Sequence, residues 1–120
     1  MPSVLIVEDN EMNRDMLSRR LQRKGWTVHL AVDGPDGISA AITHLPDVIL
    51  MDVALGEMDG WEATRQIKAD PATTNIPIIA LTAHALESDR KRSVEAGCSE
   101  FETKPVDIVR LLEKMVRLTN

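Results

Sequence analysis

The residues best suited to chemistry stand at the carboxyl ends of apolar runs. Asp52 closes the run Asp47-Val48-Ile49-Leu50-Met51-Asp52, and Glu8-Asp9 follow Val4-Leu5-Ile6-Val7. Thr82 follows Ile78-Ile79-Ala80-Leu81, and Lys104-Pro105 follow the short segment around Phe101. Runs this apolar read as buried strands. If they are parallel strands of one sheet, carboxylates, a hydroxyl and an ammonium gather along one edge. Carboxylates held that close repel one another, and a hard divalent cation removes the conflict. A few oxygen ligands suit Mg2+, which keeps several waters and accepts a phosphate oxygen. Such a set supports transfer of a phosphoryl group onto Asp52. Taken singly, each part also has a plain reading: a turn and helix cap, a strand residue, a surface charge. Their joint placement at matched strand ends points to a site.

Short apolar runs alternate with longer amphipathic stretches along the whole chain. The strand candidates are Ser3–Val7, Thr27–Ala31, Asp47–Met51, Pro77–Leu81 and Ser99–Thr103, and the helix candidates cover about 11–24, 35–44, 60–69, 86–96 and 106–118. Each strand-helix-strand step needs a right-handed crossover, which implies an α/β fold with a parallel sheet covered on both faces. Asn10 is placed to cap the first helix, and Arg19, Arg20, Arg23 and Lys24 crowd its last turn before Gly25. That charge order complements the helix dipole. Asp33-Gly34-Pro35, Asp59-Gly60 and Ala96-Gly97 mark further turns or helix ends.

Composition narrows the function classes. The 120 residues suit one domain over 1–120, and a net charge of −5 argues against nucleic acid as the main partner. The single cysteine, Cys98, excludes an internal disulfide and reads as a small buried residue. No apolar stretch approaches the ~20 residues that cross a bilayer, and the start carries no signal-peptide pattern. The expectation is a soluble cytoplasmic domain with no membrane partner and no output domain after the last helix. Trp26 and Trp61 read as packing residues.

The ordered set Glu8-Asp9, Asp52, Met58-Asp59-Gly60, Thr82-Ala83, Gly97-Cys98 and Lys104-Pro105 resembles the response regulator receiver domains of two-component signalling. The likeness to this CheY-like superfamily covers essentially the whole length and is nearest the single-domain, DivK-like type. It implies a three-layer (βα)5 flavodoxin-like sandwich with a parallel five-stranded sheet in the order 2-1-3-4-5. It implies that Asp52 is the phosphoacceptor, taking a phosphoryl group from a histidine kinase or histidine phosphotransfer protein. Asp9, Asp52 and the backbone carbonyl of Ala54 would bind Mg2+, with Glu8 acting chiefly through a metal-bound water. Lys104 would pair with one phosphoryl oxygen and Thr82 with another. The resemblance also implies a cis Lys104-Pro105 bond, whereas Pro105 in the first turn of helix 5 is the simpler alternative. Ala54 and His84 match positions that flank the hydrolytic water. The chain would be a signalling phosphoacceptor that promotes its own phosphoryl transfer and autodephosphorylation rather than an enzyme. A downstream protein would be its target, and the protein would be a monomer or weak dimer.

Phe101 matches the family's switch-aromatic position, with a static core residue as the alternative. The helix over 86–96 has few apolar anchors, only Leu86 and Val94 being strong, so a few kcal/mol would shift it. Helix 4, strand 5 and helix 5 would then report phosphorylation to partners. The trio Arg90-Lys91-Arg92 would meet an acidic partner or be a solvated face. Gly56 departs from the proline the family more often carries, which loosens that loop. Other functions fit less well. Aspartate-nucleophile phosphohydrolases place a second Asp where Ala54 stands, and flavin or nucleotide folds need a phosphate loop where Glu8-Asp9-Asn10 would repel phosphate. A purely structural interaction module is the remaining reading.

Overall fold

The structure is a computed structural model that describes residues 2–83 and 86–120. Its elements run β1 (Ser3–Val7), α1 (Glu11–Arg23), β2 (Thr27–Ala31), α2 (Gly34–His44), β3 (Val48–Asp52), α3 (Gly60–Ala69), β4 (Ile78–Thr82), α4 (Glu87–Ala96), β5 (Glu100–Thr103) and α5 (Ile108–Thr119). The strands pair in parallel in the order β2-β1-β3-β4-β5. This is the flavodoxin-like α/β order expected from the sequence, with its switch point between β1 and β3.

Side-chain alternation sorts the two layers. Val4, Ile6, Val48, Leu50, Ile79 and Leu81 pack with Leu17 and Leu21 of α1 and Leu111 and Met115 of α5. Their neighbours Leu5, Val7, Ile49, Met51 and Ile78 pack with Ala41 of α2 and Ala63 and Ile67 of α3. Strands covered on both faces carry apolar residues at every position, so β1, β3 and β4 are almost wholly buried.

Local chemistry sets the helix ends. Asn10, Asp33, Asp59 and Asp107 each accept a hydrogen bond from the N–H three residues on, at Asn13, Asp36, Glu62 and Arg110. The Asp107 cap starts α5 at Ile108 rather than at 106, so Pro105 precedes the helix. Gly25 and Gly97 adopt φ of 93° and 110° at the ends of α1 and α4, a region glycine enters without steric cost. β3 and β4 each begin one residue later than expected and extend to Asp52 and Thr82. Just before β3, Asp47 Oδ2 accepts the Ser3 N–H at 2.7 Å.

One expectation is corrected in α4. Leu86 and Val94 are not its anchors: they are 61% and 66% exposed. The buried residues of α4 are Ser93 and Ala96. Small side chains on the inner face let the helix lie close to α3, whose Trp61 fills the space between them. The rotation of α4 therefore turns Val94 to solvent, and Leu86 stands exposed at the cap position before the helix. Among the described residues no helix is long and apolar enough to cross a membrane.

Candidate functional site

The switch point gathers the acids. β1 and β3 run side by side with Val7 opposite Met51, so the segment after Val7 and the end of β3 share one edge. Carboxylate oxygens of Glu8, Asp9 and Asp52 all lie within 4.8 Å of one another. An octahedral Mg2+ shell of about 2.1 Å radius places opposite ligands roughly 4.2 Å apart. The three acids are gathered at about that scale, and their oxygens are the donor type a hard divalent cation takes. Asp9 is exposed, whereas Glu8 and Asp52 are only 3% and 2% exposed.

Lys104 joins this cluster from the end of β5. Thr82 stands opposite Thr103, and the Lys104 N–H donates to the Thr82 carbonyl at 2.7 Å. From there the Lys104 ammonium reaches Asp52 Oδ2 at 3.0 Å and the two Glu8 oxygens at 3.3 and 3.4 Å. The Lys104–Pro105 peptide bond is cis. Asp52 Oδ1 accepts the Ala54 N–H at 3.0 Å, and Ala54 itself is exposed beyond the strand. The Asp52 side chain is almost wholly buried. Only 3% of it meets solvent, because the Lys104 ammonium covers the oxygen it pairs with.

The charges of the site balance one another. Burial first, then the hydrogen bond to Asp52 and its charge, push Glu8 up to about 7 against the pull of Lys104 and Asn13. Burial also pushes Asp52 upward, but bonds from Glu8, the Ala54 N–H and Lys104 hold it below its ordinary value. Burial pulls Lys104 down, and its bonds and attraction to Asp52 and Glu8 more than offset this, leaving it raised. A carboxylate kept ionised beside a fixed ammonium, with a second acid raised toward neutrality, is an arrangement that could receive a cation or an anionic group.

Gly60 fits β3 closely to α3. A Cβ there would meet the Asp52 carbonyl oxygen and lie 2.7 Å from the Val53 Cα. The Gly60 N–H donates to the Val53 carbonyl at 3.1 Å, so the N-terminus of α3 braces the backbone just beyond Asp52. A Cβ at Gly56, in contrast, would meet nothing within 4 Å.

On the opposite pleat, Thr82 is 2% exposed at the end of β4. Phe101 is half-buried against the cluster of Val53, Trp61, Ala80 and Ala96, on the side that α4 covers. Trp61 Nε1 donates to Ser93 Oγ at 3.0 Å, and the Arg92 guanidinium lies 3.9 Å from the centre of its ring. Trp26 and Trp61 are both buried, as packing residues should be. Cys98 packs against the same layer, and burial pushes its thiol up to about 11, which makes it inert. His84 lies outside the described residues.

Contacts among residues not singled out in the sequence complete the region. Asn13 Nδ2 donates to Glu8 Oε1 at 3.2 Å, and Arg14 Nη1 donates to the Glu8 carbonyl at 2.8 Å. Their signal was faint: two polar residues one turn beyond an Asn cap. Glu102 is 2% exposed on the α5 side of β5, where Arg110 Nε and Nη2 bond its Oε1 at 3.0 and 2.7 Å. Lys114 Nζ bonds its Oε2 at 2.8 Å. An acid in a strand followed by cations one helical turn apart could have flagged these bonds. Beside the acids a pocket of about 510 Å³ opens between α1 and the β5–α5 connection, lined by Asn13, Met16, Arg20, Lys104, Pro105 and Ile108 among others.

Comparison with known proteins agrees with this geometry. Residues 4–116 match the response regulator receiver domain family. The response regulator PleD of Caulobacter vibrioides is 40% identical over 97% of the chain, which spans 26% of the length of that relative. The polar-differentiation response regulator DivK of Brucella anthropi is 37% identical over 92% of the chain and 90% of its own length. The receiver domain of the sensor histidine kinase PA1611 of Pseudomonas aeruginosa, solved with a magnesium ion coordinated in its active site cleft, superposes with a TM-score of 0.91. It is 36% identical, with 98% of this chain and 97% of that one covered. With the acidic cluster at the switch point of a β2-β1-β3-β4-β5 sheet, the chain belongs to the response regulator receiver domain family of two-component signalling.

Proposed function

We propose that Asp52 accepts a phosphoryl group from a phosphohistidine of a histidine kinase or histidine phosphotransfer protein. The observation that carries this reading is the meeting of the Lys104 ammonium with Asp52 at 3.0 Å, in a cluster completed by Glu8 and Asp9. An ionised Asp52 oxygen attacks phosphorus as the P–N bond breaks and the imidazole leaves with its electron pair. The ammonium already stands where negative charge arrives, so Lys104 passes from Asp52 to a phosphoryl oxygen with little reorganisation. The Ala54 N–H fixes the other Asp52 oxygen and thereby the direction of attack. Asp9, Asp52 and the Ala54 carbonyl would hold Mg2+, with Glu8 behind a water, and the ion would supply neutralising charge for the equatorial oxygens.

The switch follows from the opposite face of the sheet. Thr82 donates its hydroxyl to a phosphoryl oxygen, and the space it leaves is filled by Phe101 moving inward under α4. Having only Ser93 and Ala96 buried, α4 gives way at small cost. The surface of α4, β5 and α5 then presents the phosphorylated state to a downstream protein in the cytoplasm. Ala54, exposed just beyond Asp52, leaves a path for the water that hydrolyses the acyl phosphate, so the chain limits its own signal.

A phosphotransfer protein carrying radiolabelled phosphohistidine tests the reading. Label should pass to the chain only with Mg2+ and be lost from Asp52→Asn. Transfer that persists undiminished in folded Asp52→Asn would exclude Asp52 as acceptor.

A further inference from the structure

The first turn of α1 holds Glu8 from two sides. Asn10 Oδ1 accepts the Asn13 N–H at 2.9 Å, which fixes where the helix starts. One turn in, the Asn13 side chain donates to Glu8 Oε1 at 3.2 Å, and Arg14 donates to the Glu8 backbone carbonyl at 2.8 Å. Across the cleft the Lys104 ammonium draws both Glu8 oxygens toward the end of β5. Asn13 is the neutral donor on the α1 side that opposes this pull.

We propose that Asn13 is a positioning residue that sets the affinity of the site for Mg2+ by fixing the rotation of the Glu8 carboxylate. This rests on the Mg2+ reading of the acidic cluster given above. A carboxylate acting through a metal-bound water has to present a lone pair in a defined direction, and a neighbouring donor supplies that direction. With the amide removed, Glu8 turns fully to Lys104, and cation binding must break that pairing first. Asn13 is exposed on α1, so its truncation should leave the fold intact.

Mg2+ binding measured by calorimetry on the full chain tests this in Asn13→Ala, Glu8→Ala and the double variant. Asn13→Ala should weaken binding on the order of tenfold, with an unchanged denaturation midpoint in the absence of the ion. Saturating Mg2+ should restore its rate of phosphorylation by a small donor. Added to Glu8→Ala, the same substitution should do nothing further. Equal Mg2+ affinity of Asn13→Ala and wild type overturns the inference while leaving the metal site standing. An equal loss in the presence and absence of Glu8 also overturns it, because Asn13 would then act by another route. A wild-type chain that binds no Mg2+ overturns both this inference and the reading beneath it.

Discussion

Lys104 Nζ stands 3.0 Å from Asp52 Oδ2 although their strands are separated by β4. The span is bridged by a long stem whose ammonium also touches Glu8. Lys104 therefore serves as the counter-ion of the acids before any cation or phosphoryl group arrives. Lys104→Met keeps the stem and removes the charge. Mg2+ should then bind about tenfold more tightly, which corresponds to roughly 1.4 kcal/mol of lost repulsion. Phosphorylation by a small donor should slow by at least about tenfold, because no ammonium meets the incoming group. Calorimetry and intact-mass time courses read the two effects, and a variant unchanged in both would remove Lys104 from the site.

Glu8 gives the site a pH dependence. Burial and then Asp52 raise it from an ordinary 4.5 to about 7. Below that value a cation must displace a proton, so Mg2+ affinity should fall as pH drops from 7 toward 5, approaching ~tenfold per unit. The sign for folding runs the other way. The native state binds the extra proton between about 4.5 and 7, so the metal-free chain loses stability as pH rises through that window. The lowered Asp52 contributes on the acid side, below its ordinary 3.8, and leaves this window alone. Mg2+ at ten times its dissociation constant should return about 1.4 kcal/mol. Urea midpoints from pH 5 to 8, with and without the ion, check both slopes.

Glu102 should show the opposite slope. Burial raises it, but bonds from Arg110 and Lys114 win and hold it low. A depressed carboxyl stabilises the fold above its unfolded value of about 4.5 and ceases to do so as pH falls through its folded value. Glu102→Gln should therefore lower the denaturation midpoint at pH 7, and the difference should shrink as pH falls below about 4.5. A midpoint difference that persists undiminished into acid would mean that packing, not charge, sets the contribution of Glu102.

These residues also mark how far the sequence could be read. The strands were legible because each is an unbroken apolar run, and the acids were legible because they stand where such runs stop. The order of the sheet and the roles expected of Thr82 and Lys104 came with the family resemblance. What escaped depends on helix rotation. Leu86 and Val94 read as anchors by composition, yet α4 turns Ser93 and Ala96 inward because Trp61 occupies the intervening space. Asn13 and Arg14 were hidden for a similar reason: their contact with Glu8 follows from where Asn10 starts α1. The narrow exposure of Asp52 could not be seen either, since it is set by how Lys104 folds back over it.

Trp61 and Ser93 couple α3 to α4 through one buried hydrogen bond. Ser93→Ala leaves the Trp61 N–H without its partner, a cost of about 1–3 kcal/mol. Hydrogen exchange across α4 should quicken while that of β1 and β3 stays slow. Trp61→Phe placed in the Ser93→Ala background should cost less than it does in wild type, since no donor is then left unpaired. Strictly additive losses would deny the coupling.

The central claim is that Asp52 takes the phosphoryl group within a cation-bound cluster. Intact-mass measurement after incubation with Mg2+ and a small acyl phosphate or amidophosphate tests it most directly. The expected result is one phosphoryl adduct, absent from Asp52→Asn and absent when the ion is chelated. An adduct that survives in folded Asp52→Asn, or wild type that stays unmodified with every donor tried, would contradict it.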